Sequence, residues 1–437
     1  MRLKDSCTVV IRFVLVHCPA RLAAFAILLL ASAAWGAAPQ EKTIYSFQSG
    51  NDGAIPSANL VADSLGNLYG MTEVGGGSPN CGQIGGQNTG CGTIFKLTPP
   101  VKSGGAWTES ILYSFQGSSD GSQPTGGLTI DAAGNLYGIA GGGLSTCQCG
   151  VIFELTRNTG GTWEQAVLYT FTNGPGGGYP IGTLALDSTG HLYGITSALN
   201  NCGVVFEATP PAEGGAGWTE AVIYEFQGGK TDGCAPSGVL ALDASGNLYG
   251  TAQSGGRVNA GIAYRLKPPT GTGEPWALTI LHSFTGGTDG GQPIGGVIFH
   301  GADLFGTTYS GGNDGDGVVF QLSPPAKGKT VWVDSPILTF NARTNGQGPL
   351  TALVFDRAGN LYGTTRFCPG GVGGEIFELS PPAQQGNPWS ETTLYSFTCG
   401  KDGCNAGALT FDKGSALYGV SSSGGTAGEG VVFAVLP

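Results

Sequence analysis

The most regular feature of the sequence is Gly134-Asn135-Leu136-Tyr137-Gly138, which returns almost unchanged along the chain. Its Leu-Tyr/Phe-Gly triplet ends at Gly70, Gly138, Gly194, Gly250, Gly306, Gly363 and Gly419, at spacings of 68, 56, 56, 56, 57 and 56 residues. A fixed period over seven copies marks a repeat architecture. It overrides the two or three domains that 437 residues would otherwise suggest.

Reading outward, each triplet opens one of four short segments. Strand a precedes it, as in Leu128-Thr129-Ile130-Asp131, and the triplet begins strand b. Strand c follows a Gly-rich loop, as in Gly150-Val151-Ile152-Phe153-Glu154-Leu155. Strand d is Leu168-Tyr169-Thr170-Phe171, with kin at Tyr45, Tyr113, Tyr224, His282, Leu338 and Tyr395. The segments are short, rich in aromatic and β-branched residues, and bounded by Gly, Pro, Asn and Asp, which is strand chemistry. Four strands per period of about 56 residues predict a β-propeller blade. The order runs d, six sets of a-b-c-d, then a-b-c, so the first d completes the last blade. The expected fold is therefore all-β: a seven-bladed β-propeller of four-stranded blades, closed by the N-terminal strand. It forms a single domain over residues 39–437. Trp107, Trp163, Trp218, Trp276, Trp332 and Trp389 each fall in a c–d connection, where they are expected to pack at blade junctions.

Residues 1–38 differ. Arg2, Lys4, Arg12 and Arg21 precede and flank the apolar run Leu22 to Ala34, followed by small residues. This is the pattern of a secretory signal peptide. Cys18 lies before the apolar run in a poor lipobox, so lipidation is not expected. The chain carries 80 glycines and 25 prolines, only 11% charged residues and a net charge of −11. That balance argues against nucleic acid or anionic lipid as a partner. No later stretch is long and apolar enough to suggest a membrane span.

The combination of Leu-Tyr-Ser-Phe, Asp-Gly-x-x-Pro, Gly-Asn-Leu-Tyr-Gly and Gly-x-x-Phe-x-Leu resembles the GloVer-type tandem repeat of "choice-of-anchor" bacterial exported proteins, over residues 43–437. The a–b hairpin alone is similar to NHL propeller repeats. The resemblance implies an exported propeller-like protein and carries no assigned activity. Members are named for C-terminal anchors. Here Val431 to Pro437 ends inside strand c, so the expectation is a secreted or periplasmic protein without an anchor.

Antiparallel order puts the b–c and d–a loops at one end of the sheets and the a–b and c–d loops at the other. Nine cysteines beyond residue 38 all fall at the first end. Export favours disulfides. The expected bridges are Cys81–Cys91, Cys202–Cys234 and, in the matching loops of a later repeat, Cys368–Cys404. Cys147 and Cys149 are too close in sequence for an easy bridge. Asp52, Asp120, Asp232, Asp289 and Asp402 lie in Asp-Gly loops at the same end. They read either as a ring of ligand-binding carboxylates, with Ca²⁺ or a polyhydroxylated ligand, or as turn chemistry. Asp314 and Asp316 are candidate Ca²⁺ ligands. Asp63, Asp131, Asp187, Asp243, Asp356 and Asp412 recur in the a–b connections as turn caps. His191, His282 and His300 share no blade position, so neither a Ser-His-Asp triad nor a His-metal site is expected.

Because most acids recur with the repeat, the leading expectation is a monomeric, non-catalytic binding or scaffolding protein. Its ligand would be a surface polysaccharide or a protein. The alternative is an extracytoplasmic carbohydrate-active enzyme, a hydrolase or lyase, using non-repeating acids on the loop face.

Overall fold

The computed structural model describes residues 40–436 apart from loop positions 82, 85–86, 89, 103, 118, 143–146, 173, 175–176, 198–201, 213–214, 216, 272, 370, 385 and 415. Residues 1–38, read above as a signal peptide, lie outside the described residues. Ala38–Pro437 forms one compact unit. Among the described residues there is no α-helix, and hence none long and apolar enough to cross a membrane.

Each repeat builds its own antiparallel sheet. In the second repeat Thr129–Ile130, Leu136–Ala140, Val151–Arg157 and Trp163–Thr170 pair in that order. In the third the order is Pro180–Leu186, Leu192–Thr196, Val204–Thr209 and Thr219–Glu225. The fourth and fifth repeats meet through one parallel bridge, Val239 with Gly296, giving an eight-stranded sheet. In the seventh, the N-terminal strand Gln40–Ser46 pairs with Val431–Leu436 from the far end of the sequence, Thr43 lying opposite Phe433. The first d strand thus lies in the last repeat's sheet. The architecture is all-β and propeller-like.

Two aromatic series join neighbouring sheets. The Phe that follows each d strand packs at a steep angle on the c-strand aromatic of the next repeat. The pairs are Phe115–Phe153, Phe171–Phe206, Phe226–Tyr264, Phe284–Phe320, Phe340–Phe377 and Phe397–Phe433, with centroids 5.0–5.4 Å apart. Phe47 completes the series against Phe95 at 5.1 Å. All fourteen rings are buried, and each such pair contributes about 0.5–1.5 kcal/mol beyond its area. Five tryptophans form the second series, Trp107, Trp163, Trp276, Trp332 and Trp389, each against the b-strand aromatic of the preceding repeat. Examples are Trp163–Tyr69, Trp276–Tyr193 and Trp389–Phe305. Trp107 of the first repeat meets Tyr418 of the seventh at 5.7 Å.

The triplet glycine has a local cause. A Cβ on Gly138 would stand 2.5 Å from Phe153 Cζ and 3.2 Å from Leu128 Cδ2. The c-strand ring lies across the glycine and the a-strand leucine fills beside it, so a side chain there would overpack the sheet.

Candidate functional site

The repeating aspartates hold their own turns. In the a–b hairpin, Asp243 Oδ1 accepts from the backbone N–H of Ser245 and Asn247 at 2.8 and 2.9 Å. Its Oδ2 accepts from Asn247 Nδ2 at 2.7 Å and from the Tyr249 hydroxyl at 3.1 Å. Asp63, Asp131 and Asp356 repeat this set. Burial pushes the Asp243 carboxyl up, but the Asn247 amide and the backbone donors outweigh it and leave it below the usual range.

The five Asp-Gly loop residues behave alike. Asp120 Oδ2 accepts from the Tyr113 hydroxyl at 2.8 Å and Gln116 N–H at 2.7 Å. Asp232 takes Tyr224 and Gln227 N–H, and Asp402 takes Tyr395 and Thr398 N–H. Asp52 takes Tyr45 and Gln48 N–H, and Asp289 takes His282 and Thr285 N–H. Each carboxylate caps its own loop. Asp316 Oδ2 accepts from Ala342 N–H at 2.7 Å, while Asp314 is exposed. Among the described residues, no group of three or more His, Cys, Asp or Glu side chains could hold a metal ion. His191 contacts Glu207 Oε1 at 2.6 Å, and His300 stacks on Phe355.

The loop end of the sheets is held by a hydrogen bond that recurs seven times. The N–H of Gln123 donates to Cys91 O at 2.7 Å, Tyr179 to Cys149 O at 2.6 Å and Gln292 to Ala260 O at 2.8 Å. Ala235, Gly348 and Asn405 do the same, and Ile55 donates to Glu429 O of the seventh repeat at 2.9 Å. The donor is left-handed in every repeat, with φ from 46° at Gln123 to 64° at Gly348. Six of the seven are not glycine, an unusual concentration of backbone strain that costs of order 1–3 kcal/mol per residue. Gln123, Tyr179, Gln292 and Asn405 thereby present exposed side chains on this face.

Against this regular frame, repeats six and seven depart. The b-strand position two residues beyond the side chain after the triplet holds Glu73, Gly141, Ser197, Gln253, Tyr309, Arg366 and Ser422 in turn. Arg366 and Ser422 line a cavity of about 400 Å³ together with Thr351, Thr364, Thr365 and Asn405. The Arg366 guanidinium lies 5.2 Å from the Phe367 ring centroid. The c-strand residue after the Gly is Thr93, Val151, Val204, Ile262, Val318 and Val431 in six repeats but Glu375 in the sixth. Glu375 is 4% exposed. Its N–H donates to Thr365 Oγ1 at 3.1 Å, and its Oε1 accepts from the Ser396 hydroxyl at 2.7 Å. Burial raises its pKa, against the pull of the Ser396 bond. The sequence signal was present: one acid in a column of apolar residues and threonine.

A further set of acids went unread in the sequence. Four residues before the d-strand Tyr position stand Glu41, Glu109, Glu220, Asp334 and Glu391. Burial, reinforced by Asp52, pushes Glu109 up to about 7. Burial pushes Glu41 to about 7 despite its Thr43 bond, with Asp402 adding to the rise. Burial takes Asp334 to about 6, with His282 opposing and Asp289 assisting. Buried oxygens of Glu109, Glu220, Asp334 and Glu391 have no hydrogen-bond partner.

The disulfides are Cys81–Cys91, Cys147–Cys149, Cys202–Cys234 and Cys399–Cys404. The expected Cys368–Cys404 bridge is corrected: Cys404 is bonded to Cys399, and Cys368 is a free thiol donating to Val372 O at 3.2 Å. Register explains this. Cys91, Cys149 and Cys202 each stand immediately before the c-strand Gly, where the sixth repeat has Gly373. A Cβ on Gly373 would lie 3.3 Å from Cys399 Sγ, so Cys399 fills the place that Cys202 takes beside Cys234. Cys147 and Cys149 do bridge, with Cα atoms 5.1 Å apart. Four disulfides fit an oxidising compartment.

No curated protein matches the sequence. Solved structures similar to the chain include an oxidoreductase described as a glucose dehydrogenase from Thermus thermophilus. It is 15% identical with a TM-score of 0.42, and the match covers 91% of this chain and 100% of that one. A 6-phosphogluconolactonase from Bacteroides uniformis, so described, is 15% identical over 83% and 89% of the two chains, with a TM-score of 0.49. The PQQ domain of pyranose dehydrogenase from Coprinopsis cinerea is 13% identical over 91% and 97%, with a TM-score of 0.42. All three carry enzyme names. The expectation above was of a non-catalytic binding or scaffolding protein, and these neighbours, bearing enzyme names, stand against it. The sequence profile of the Gloeobacter/Verrucomicrobia repeat matches residues 35–198, 83–275 and 199–433. The chain belongs to the Gloeobacter/Verrucomicrobia repeat family.

Proposed function

We propose that the chain is an extracytoplasmic enzyme that cleaves glycosidic bonds in an acidic polysaccharide. Its scaffold is read as seven blades in a closed ring. Support comes from the N-terminal strand in the last sheet, the Trp107–Tyr418 contact and the Ile55 to Glu429 hydrogen bond. The disulfides support a location outside the cytoplasm.

The observation that carries the reading is Glu375, the repeat-breaking buried acid whose N–H donates to Thr365, a residue that lines the Arg366 cavity. In this reading Arg366 pairs with the carboxylate of a uronate residue, while Asn405, Ser422 and Thr351 bond its hydroxyls. Glu375, whose pKa burial raises, takes the proton from the carbon beside the uronate carboxylate and passes it to the leaving glycosidic oxygen. Hydrolysis needs two carboxyl groups flanking the bond. Among the described residues no carboxylate lines the cavity to serve as a second acid, which favours elimination: with the uronate carboxylate neutralised, the adjacent C–H proton passes to Glu375, a C=C bond forms and the glycosidic C–O bond breaks.

The test is incubation of the chain with polygalacturonate, alginate and neutral cellulose, reading reducing ends and the ultraviolet absorbance of unsaturated products. The reading predicts unsaturated product from an acidic polymer alone. Release from cellulose alone, or no release from any polymer, overturns it.

A further inference from the structure

The other end of the sheets carries a second feature, independent of Glu375. At the junction of the first and second repeats a cavity of about 450 Å³ is lined by Tyr69, Lys96, Thr98, Ser110, Arg157 and Trp163, among others. Lys96 Nζ stands 5.8 Å from the Tyr69 ring centroid, and Trp163 meets the same ring edge-on at 6.2 Å. Arg157 is held by a long bond from Nε to Gly161 O, 3.4 Å.

The charge here is reversed relative to the next two repeats. The Lys96 position holds Glu154 and Glu207 there, which accept from the hydroxyls of Tyr137 at 2.9 Å and Tyr193 at 3.1 Å. In the first repeat the Tyr69 hydroxyl donates to Asp63, and the neighbouring acid is replaced by a cation. Among the described residues the ion pairs are His191–Glu207 and His282–Asp289, so neither Lys96 nor Arg157 has a carboxylate within ion-pair distance. In a chain of net charge −11, two unpaired cations facing one cavity leave the countercharge to be supplied from outside.

We propose that this junction is a binding site for an anionic saccharide unit. Lys96 and Arg157 take the carboxylate or sulfate, Ser110 and Thr98 take ring hydroxyls, and Trp163 and Tyr69 supply the aromatic wall that sugar C–H faces pack on. A cavity of this size falls in the range of small-ligand sites. The site lies at the c–d loop end, away from Arg366, and holds polymer whether or not the Glu375 reading stands.

Calorimetry with trigalacturonate, galactotriose and inorganic sulfate tests it, using the Arg366→Gln chain so that the loop-face cavity is disabled. Trigalacturonate is expected to bind, to weaken as salt rises, and to lose about tenfold or more in affinity in the added Lys96→Gln/Arg157→Gln pair. Lys96→Gln alone, and salt titration of the chain without these two changes, guard against a folding defect in the pair. Equal binding of galactotriose, equal affinity for inorganic sulfate, salt-independent binding, or unchanged affinity in the pair would overturn the site.

Discussion

Two sets of carboxylates recur with the same period and live in opposite surroundings. The hairpin aspartates, such as Asp243, receive four hydrogen bonds from a turn built around them, and Asp63, Asp187, Asp243 and Asp356 are held below the usual range. The d-strand acids, such as Glu109, lie against the preceding repeat with a buried oxygen unpartnered, and they are pushed up. Recurrence therefore identifies a position in the fold and says nothing about whether the acid there is satisfied. What separates the two is supply of donors. The hairpin turn presents its own N–H groups, whereas the d strand has already given its N–H groups to the c strand.

Several changes would break or sharpen this contrast. The largest effect is expected from deleting residues 39–46, which removes Glu41 with the whole strand paired to Val431–Leu436. Loss of the partly buried Ile44 and Tyr45 should destabilise the chain by about 2–5 kcal/mol in denaturant unfolding. An unchanged midpoint would mean that the N-terminal strand adds nothing. Asp243→Ala comes next. It strands two backbone N–H groups, the Asn247 amide and the Tyr249 hydroxyl, at about 1–3 kcal/mol. Indifference to this change would place the hairpin aspartates with ordinary surface acids.

The smallest effect distinguishes the two sets by pH. A depressed carboxyl such as Asp243 contributes stability that is present above its unfolded pKa near ~4 and is lost as pH falls through the folded value. For Glu109, raised to about 7, the sign is reversed. Below roughly 4.3 it is protonated folded and unfolded and imposes no penalty; the penalty grows as pH rises and is complete above about 7. Glu109→Gln should raise stability at pH 8, by about 0.5 kcal/mol after allowance for solvent screening, and leave it unchanged at pH 4. Thermal melts at the two pH values measure this, and equal shifts at both would remove the contrast.

The fold was legible because its signals are local and repeated. Asp131 and Asn135 four residues apart spell the hairpin, and Gly138 spells the overlying Phe153 ring. The carboxylates offered as a ligand ring were legible as loop caps, since the Tyr, or for Asp289 the His282, that binds each is in the adjoining d strand. Contacts between repeats were harder to read. Pairing Cys368 with Cys404 failed by a five-residue register difference that the c-strand Gly would have exposed. The d-strand acids looked like an exposed edge because their neighbours, such as Tyr169 beside Glu220 and Asn345 beside Glu391, come from the preceding repeat and the loop that follows its d strand. Glu375 was visible as a departure from its column, but its pairing with Ser396 and its place beside Thr365 depend on strand register.

The central claim is that acids keeping the repeat hold the fold while the acid breaking it does chemistry. It is tested most directly by comparing Glu375→Gln and Asp243→Asn for product release from the acidic polymer that the native chain cleaves. The prediction is that Glu375→Gln loses activity by about 10²–10⁴-fold with an unimpaired melt, whereas Asp243→Asn melts earlier and retains its rate at low temperature. Full activity in Glu375→Gln, or equal losses in both, would contradict it.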